Sequence, residues 1–195
     1  MRKTASLLFL FLLISFSLLA QNDVEWDGKY QIQLSDFQSK ATQIGNINTN
    51  SIQTASGLNF SIQMSNIEFM FTKNFNSKVS TTFKRESALL IATDTTTAKR
   101  MVKFAQYEFD LSELYARKLR QKLYLNKGAF SDISFLQPLY DTIQKEYVEE
   151  HGEASKKTNL GQKEEVLTTL NEDVLTRIQE LSDFCKSCKP PKKKK

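Results

Sequence analysis

An α+β fold is what this 195-residue sequence predicts: an antiparallel sheet of three to five strands followed by three helices. Two periodicities and their order lead there. Between residues 29 and 92 short apolar runs recur with a period of two, which marks half-buried strands. From residue 96 onward apolar residues recur with a period near 3.6, which marks amphipathic helices. Strands first and helices after is the order of an α+β domain. The length allows one domain with a real core and not comfortably two.

Residues 1–20 stand apart from that domain. Arg2 and Lys3 precede the apolar run Leu7 to Leu19, and Ala20 follows. A basic start, an apolar centre and a small residue predict a secretory signal, cleaved near Ala20–Gln21, and hence a secreted, periplasmic protein. The run is short for a membrane span. No cysteine follows it to carry a lipid.

The domain then covers 21–184. In "KYQIQL", residues 29–34, Tyr30, Ile32 and Leu34 share one face, a first strand. The polar stretch 38–57 reads as a loop. Leu58, Phe60, Ile62 and Met64 alternate, as do Ile67, Phe69 and Phe71, then Val79, Thr81 and Phe83. "ALLIA" at 88–92 makes a further strand. Ser65-Asn66 and "KNFNSK" at 73–78 are the turn signals between them. One face of such an antiparallel sheet is solvated.

"TDTTT", residues 93–97, offers several helix N-caps. The helices are expected at about 96–126, 132–150 and 162–184. The first ends before Gly128, and the second carries Pro138 near its first turn. Val166, Leu170, Val174, Ile178 and Leu181 stripe the third. Residues 185–195 hold Cys185, Cys188 and the lysine-rich end "KPPKKKK", a tail expected to be disordered. The C-x-x-C spacing in an exported chain suits a local disulfide or two inert thiols, with a redox pair as the alternative.

The formal charge of +5 misleads. Eight of the 27 Lys and Arg are Arg2, Lys3 and the six tail lysines Lys186, Lys189 and Lys192 to Lys195. The remaining 19 face 22 acids, so the body is mildly acidic at −3. No basic patch interleaves with aromatics, which argues against nucleic acid. One His and two late Cys leave no material for a Ser/His/Asp or Cys/His triad, and no Gly-rich phosphate loop is present. The tail lysines suit an anionic surface.

The first helix poses the central question. On a wheel of 100° per residue, Lys103, Gln106, Asp110, Glu113, Arg117, Arg120 and Gln121 form a polar arc. Phe104, Tyr107, Leu111, Leu114, Tyr115 and Leu119 lie opposite, and Glu108 falls among them. A buried carboxylate needs a cation, hydrogen bonds, a proton or a cleft. Glu108 either sits at the core edge, pairs with a cation or faces a cleft; Asp110 and His151 are the other cleft candidates. His151 itself, beside Gly152 and among Glu146, Glu149, Glu150 and Glu153, reads as a solvated loop or helix-end residue.

The run "FAQYEFDLSELYARKLRQKL" resembles the H-E-x-x-H-F-D-[IL]-x-E-x-[YF]-A-R-K-L segment of a secreted bacterial family known as domain of unknown function 922. Its members look like zinc-dependent proteases of the zincin type. Trp26, Leu34, Asp36 and Phe37 resemble that family's opening segment. "VSTTFKRESALL" and "YVEEHGEASKKTNLGQKEEV" resemble later ones, so the likeness spans about 26–180. It implies a zincin-like fold. It also implies which positions carried the chemistry: Phe104 and Glu108 stand where the two zinc-binding His belong, Ala105 where the general base belongs, and Leu160 at the third ligand position. A zincin needs both imidazoles on one helix face and the Glu beside the first. No catalytic residue, metal ligand or cofactor is therefore carried over, and zinc is not expected. The expectation is a secreted, non-catalytic relative of a zincin-type metalloprotease that binds a peptide, a protein or an envelope component. The alternatives are an active metal-dependent peptidase using Glu108, His151 and another carboxylate, and a structural envelope module anchored by its basic tail.

Overall fold

The computed structural model describes residues 23–54, 64–128, 131 and 133–191. The fold is α+β. Five short strands, β1 (Asp23–Glu25), β2 (Gln43–Ile44), β3 (Ser51–Gln53), β4 (Thr82–Lys84) and β5 (Leu89–Ala92), are followed or interrupted by four helices: α1 (Asn66–Phe71), α2 (Thr95–Asn126), α3 (Leu136–Thr158) and α4 (Glu164–Glu180). The strands make two sheets among the described residues. β1 pairs antiparallel with β4, and β5 lies between β2, parallel, and β3, antiparallel.

Several strand expectations give way. Residues 29–33 have no regular structure and Leu34–Asp36 is a 3₁₀ turn. Asp36 organises that turn: its Oδ2 accepts from the Gln33 amide at 2.7 Å, and Arg85 Nε pairs with its Oδ1 at 2.8 Å. Side-chain bonding of this kind competes with a ladder. Ile67, Phe69 and Phe71 sit on a helix, because Ser65 caps it: its hydroxyl accepts from the Glu68 amide at 3.2 Å. The Val79–Phe83 run contributes only β4, and "ALLIA" is β5. The stretch 38–57, expected to be loop, supplies β2 and β3 as short flanks to β5. The strand expected at 58–64 falls on residues 55–63, outside the described ones apart from Met64.

The helices follow the sequence more closely. Asp94 caps α2, its carboxylate accepting from the Thr97 amide and hydroxyl at 2.8 Å each. α3 starts later and runs on to Thr158, eight residues past the expected end. Pro138 lies in its first turn, where no helical N–H is lost. On α4, Leu167 faces inward with Val174 and Ile178, while Val166 of the expected stripe is exposed.

α2 is the axis of the molecule. One apolar cluster joins it to α3 and α4 through Phe104, Tyr107, Leu111, Leu114, Ile143, Tyr147, Leu167 and Val174. A second joins its other side to the strands through Met101, Ala105, Phe109, Phe83 and Leu90. Buried on both sides, the helix has no solvated face along its middle. Asp110, Glu113, Arg117 and Arg120, expected on a polar arc, are all buried. Glu113 Oε1 accepts from Arg117 Nε at 3.0 Å and Arg120 Nη1 at 2.8 Å; its Oε2 accepts from Thr81 Oγ1 at 3.1 Å. The two guanidinium groups reach on to backbone carbonyls of Ile178, Phe184 and Val79 at 2.7–2.9 Å. They thereby tie α4, the 182–184 turn and the segment before β4 to α2.

The chain after α4 stays packed as far as Pro191. Cys185 and Cys188 form a disulfide. The Cys188 carbonyl accepts from the Asn74 and Asn76 side-chain amides at 3.2 and 3.0 Å, and Tyr124 donates to the Pro191 carbonyl at 2.6 Å. The disordered tail expected from 185 thus does not begin there; Lys192 to Lys195 lie outside the described residues.

Candidate functional site

Glu108 is 4% exposed, on the inner surface of α2. The opposing side chain comes from α3. His151 Nε2 meets Glu108 Oε1 in a close ion pair. Tyr147, one turn before His151, stacks on the imidazole at 5.8 Å between ring centroids with an interplanar angle of 16°, and Phe104 lies 6.0 Å away on a tilted plane. His151 is thus neither a loop residue nor a fully solvated one. It is clamped between aromatic faces, with its side chain 33% exposed.

The electrostatics follow from this arrangement. The hydrogen bond that the His151 imidazole donates to Glu108 raises the His151 pKa above its usual 6.5, against the opposing effect of burial. Burial, with the Glu108 charge adding to it, pushes the Tyr147 hydroxyl up to about 12, so it stays protonated. That hydroxyl lies 3.4 Å from Ser112 Oγ, which donates to the Glu108 carbonyl at 2.8 Å. Glu108 Oε2 is buried and accepts no hydrogen bond. An incompletely bonded buried carboxylate is costly, and His151 offsets only part of that cost.

Around the pair the site is filled. Phe104 and Ala105 are fully buried, Phe104 in the helical cluster and Ala105 in the sheet-side one. Leu160 packs partly buried against both clusters. Its loop turns sharply after α3: Asn159, Leu160 and Gly161 all have positive φ (50°, 53° and 85°). Gly161 is needed for more than its φ. A Cβ there would meet the Arg100 carbonyl oxygen at 2.5 Å and the Phe104 Cβ at 3.0 Å. This close approach seats the loop on α2 beside Phe104.

Three of the four positions singled out by the resemblance therefore converge, Phe104 and Glu108 on one face of α2 and Leu160 next to the glycine packed on Phe104. Ala105 turns to the other side of the helix. Asp110 does not join the pair. It accepts from Trp26 Nε1 at 2.8 Å and Gln106 Nε2 at 3.3 Å, and burial raises its pKa. Zinc does not fit this donor set. Glu108 and His151 supply two donors where a tetrahedral site takes three or four from protein. Among the described residues no group of three or more His, Cys, Asp or Glu converges. Of the cleft candidates Glu108, Asp110 and His151, the first and last meet and Asp110 does not; that the two bond directly had no local signal, because 43 residues separate them on two helices.

A second paired acid, Glu150, immediately precedes His151 on α3. Glu150 accepts both Nη groups of Arg177 at 2.6 and 2.9 Å and the Tyr115 hydroxyl at 2.6 Å. Burial alone would raise its pKa; these donors outweigh it and the net shift is downward. The fork joins α3 to α4.

Compared with family models, curated proteins and solved structures, the chain finds no match.

Proposed function

We propose that this is a secreted, periplasmic binding protein on a protease-like scaffold that no longer hydrolyses. The observation that carries the reading is the Glu108–His151 pair: at the position where the resemblance puts a zinc ligand, the carboxylate is engaged by an imidazole from the next helix. Beside it, Phe104 contributes volume and no donor, and Ala105 offers no base to activate water. The ligand class is a peptide, a protein or another envelope component. For a peptide the best surface is a groove of about 390 Å³ between Gln31–Ile32, α2 and α4. Gln31, Gln106 and Asn171 bring amide groups to it, and the buried Asn171 Oδ1 accepts no hydrogen bond. Ile32, Val102 and Leu167 give it an apolar base.

The test uses the mature chain. Bound zinc should be far below one per chain, and hydrolysis of a casein digest should show no chelator-sensitive component. Anisotropy of the labelled digest should report binding, weakened by Thr168→Glu at the exposed wall of the groove. One tightly held zinc per chain, lost in Glu108→Ala together with peptidase activity, would overturn the reading in favour of an atypical metallopeptidase. The unpartnered Glu108 Oε2 is the one observation that favours this second reading.

A further inference from the structure

The far end of α2 carries a different surface. About 23 Å along the helix from Glu108, an open groove of about 800 Å³ lies between α1, the last turns of α2 and the 189–191 segment. That volume is in the range of small-molecule sites. Its walls are Met70, Phe71, Phe75, Leu123, Tyr124 and Pro191. Phe71 is 74% exposed, and Ile67, one turn earlier on α1, is 70% exposed. The helix fully buries only Phe69, half-buries Met70 and leaves Ile67 and Phe71 outside.

The charge at this groove is one-sided. Lys73, Lys127 and Lys189 line it and no acid does, although residues 21–191 carry 21 basic and 22 acidic residues. Lys127 is partly engaged, donating to the Met70 carbonyl at 2.9 Å. Lys73 and Lys189 are exposed and make no ion pair among the described residues. The sequence continues from Pro191 into four further lysines. Apolar walls under an all-cationic rim complement a ligand that is apolar at one end and anionic at the other.

The geometry points to a binding site for an anionic phospholipid presented by a membrane surface, an acyl chain lying along Phe71, Tyr124 and Pro191 and the phosphate facing Lys73 and Lys189. The disulfide loop holds the Lys189–Pro191 wall in place through the Asn74 and Asn76 bonds to the Cys188 carbonyl. The site is independent of the Glu108 region, and neither reading of that region affects it.

Co-sedimentation of the mature chain with vesicles tests it. Vesicles containing phosphatidylglycerol should bind the protein, phosphatidylcholine vesicles should not, and binding should fall as salt rises. The double variant Lys73→Glu, Lys189→Glu should bind at least about tenfold more weakly. Phe71→Ser leaves the charge unchanged and removes an already exposed side chain; it too should weaken binding about tenfold. Absence of binding to phosphatidylglycerol vesicles overturns the proposal. So does undiminished binding by Phe71→Ser, which would mean adhesion of the lysine tail alone. Equal affinity for polyglutamate, insensitive to Phe71→Ser, would point to an acidic polymer instead and also overturns it.

Discussion

Glu108 and Glu113 sit on the same helix, five residues apart, and both are buried, 4% and 3% exposed. Their surroundings differ. Glu113 has both oxygens bonded, by two guanidinium groups and a threonine hydroxyl, and those guanidinium groups extend to three other segments. Glu108 has one bonded oxygen, one partner, and that partner partly open to solvent. The first carboxylate is architecture: its charge is matched, and the network fastens the fold. The second is held by the minimum that burial allows. The carboxylate that fastens several segments has both oxygens bonded, while Glu108, which joins only two helices, keeps one oxygen without a partner.

The largest effect expected from this contrast is on the Glu113 network. Glu113→Leu strands two buried guanidinium groups and should cost about 3–5 kcal/mol, read as a drop in urea midpoint at unchanged slope. A loss below about 1 kcal/mol would erase the difference between the two acids. Glu108→Leu should be near neutral or stabilising, because it removes the unpartnered oxygen and adds apolar volume to an apolar wall. His151→Ala leaves Glu108 without a partner and should cost about 1–3 kcal/mol, the lower part of the range because water reaches the imidazole.

The pair also sets a pH dependence. His151 is raised by its bond to Glu108, so its contribution to stability is full below pH 6.5 and is lost as pH rises through the folded-state pKa. The stability gap between wild type and His151→Ala should therefore shrink from pH 6.5 upward, and urea denaturation across that window measures it. A gap that widens with pH contradicts the pairing. Trp26→Phe removes one hydrogen bond to Asp110 and should cost about 1 kcal/mol while raising the Asp110 pKa further.

What the sequence disclosed tracks the length over which a physical signal repeats. α2 was legible within a residue because its period holds for 32 residues behind a clear Asp94 cap. The strands are two to four residues long, too short for alternation to identify them, and β2 and β3 are held by pairing with β5 rather than by an apolar face. At Ile67, Phe69 and Phe71 three alternating residues suggested a strand, although Ser65 and Glu68 already stood at capping spacing. The wheel marked Glu108 as anomalous but also put Glu113, Arg117 and Arg120 in water, since periodicity does not reveal that a helix is covered on both sides. His151 was named with Glu108 as a cleft candidate, but its direct bond to that carboxylate is set by the packing of α3 on α2.

Because His151 is the only histidine in the chain, its imidazole resonances can be followed by NMR without assignment. A pH titration of the wild type and of Glu108→Gln, each with and without equimolar zinc, tests the core of the account most directly. The pairing predicts a titration midpoint above 6.5 in the wild type, a fall towards or below 6.5 in Glu108→Gln, and no response to zinc in either. A wild-type midpoint at or below 6.5 that ignores the substitution, or resonances that shift on adding zinc, would contradict it.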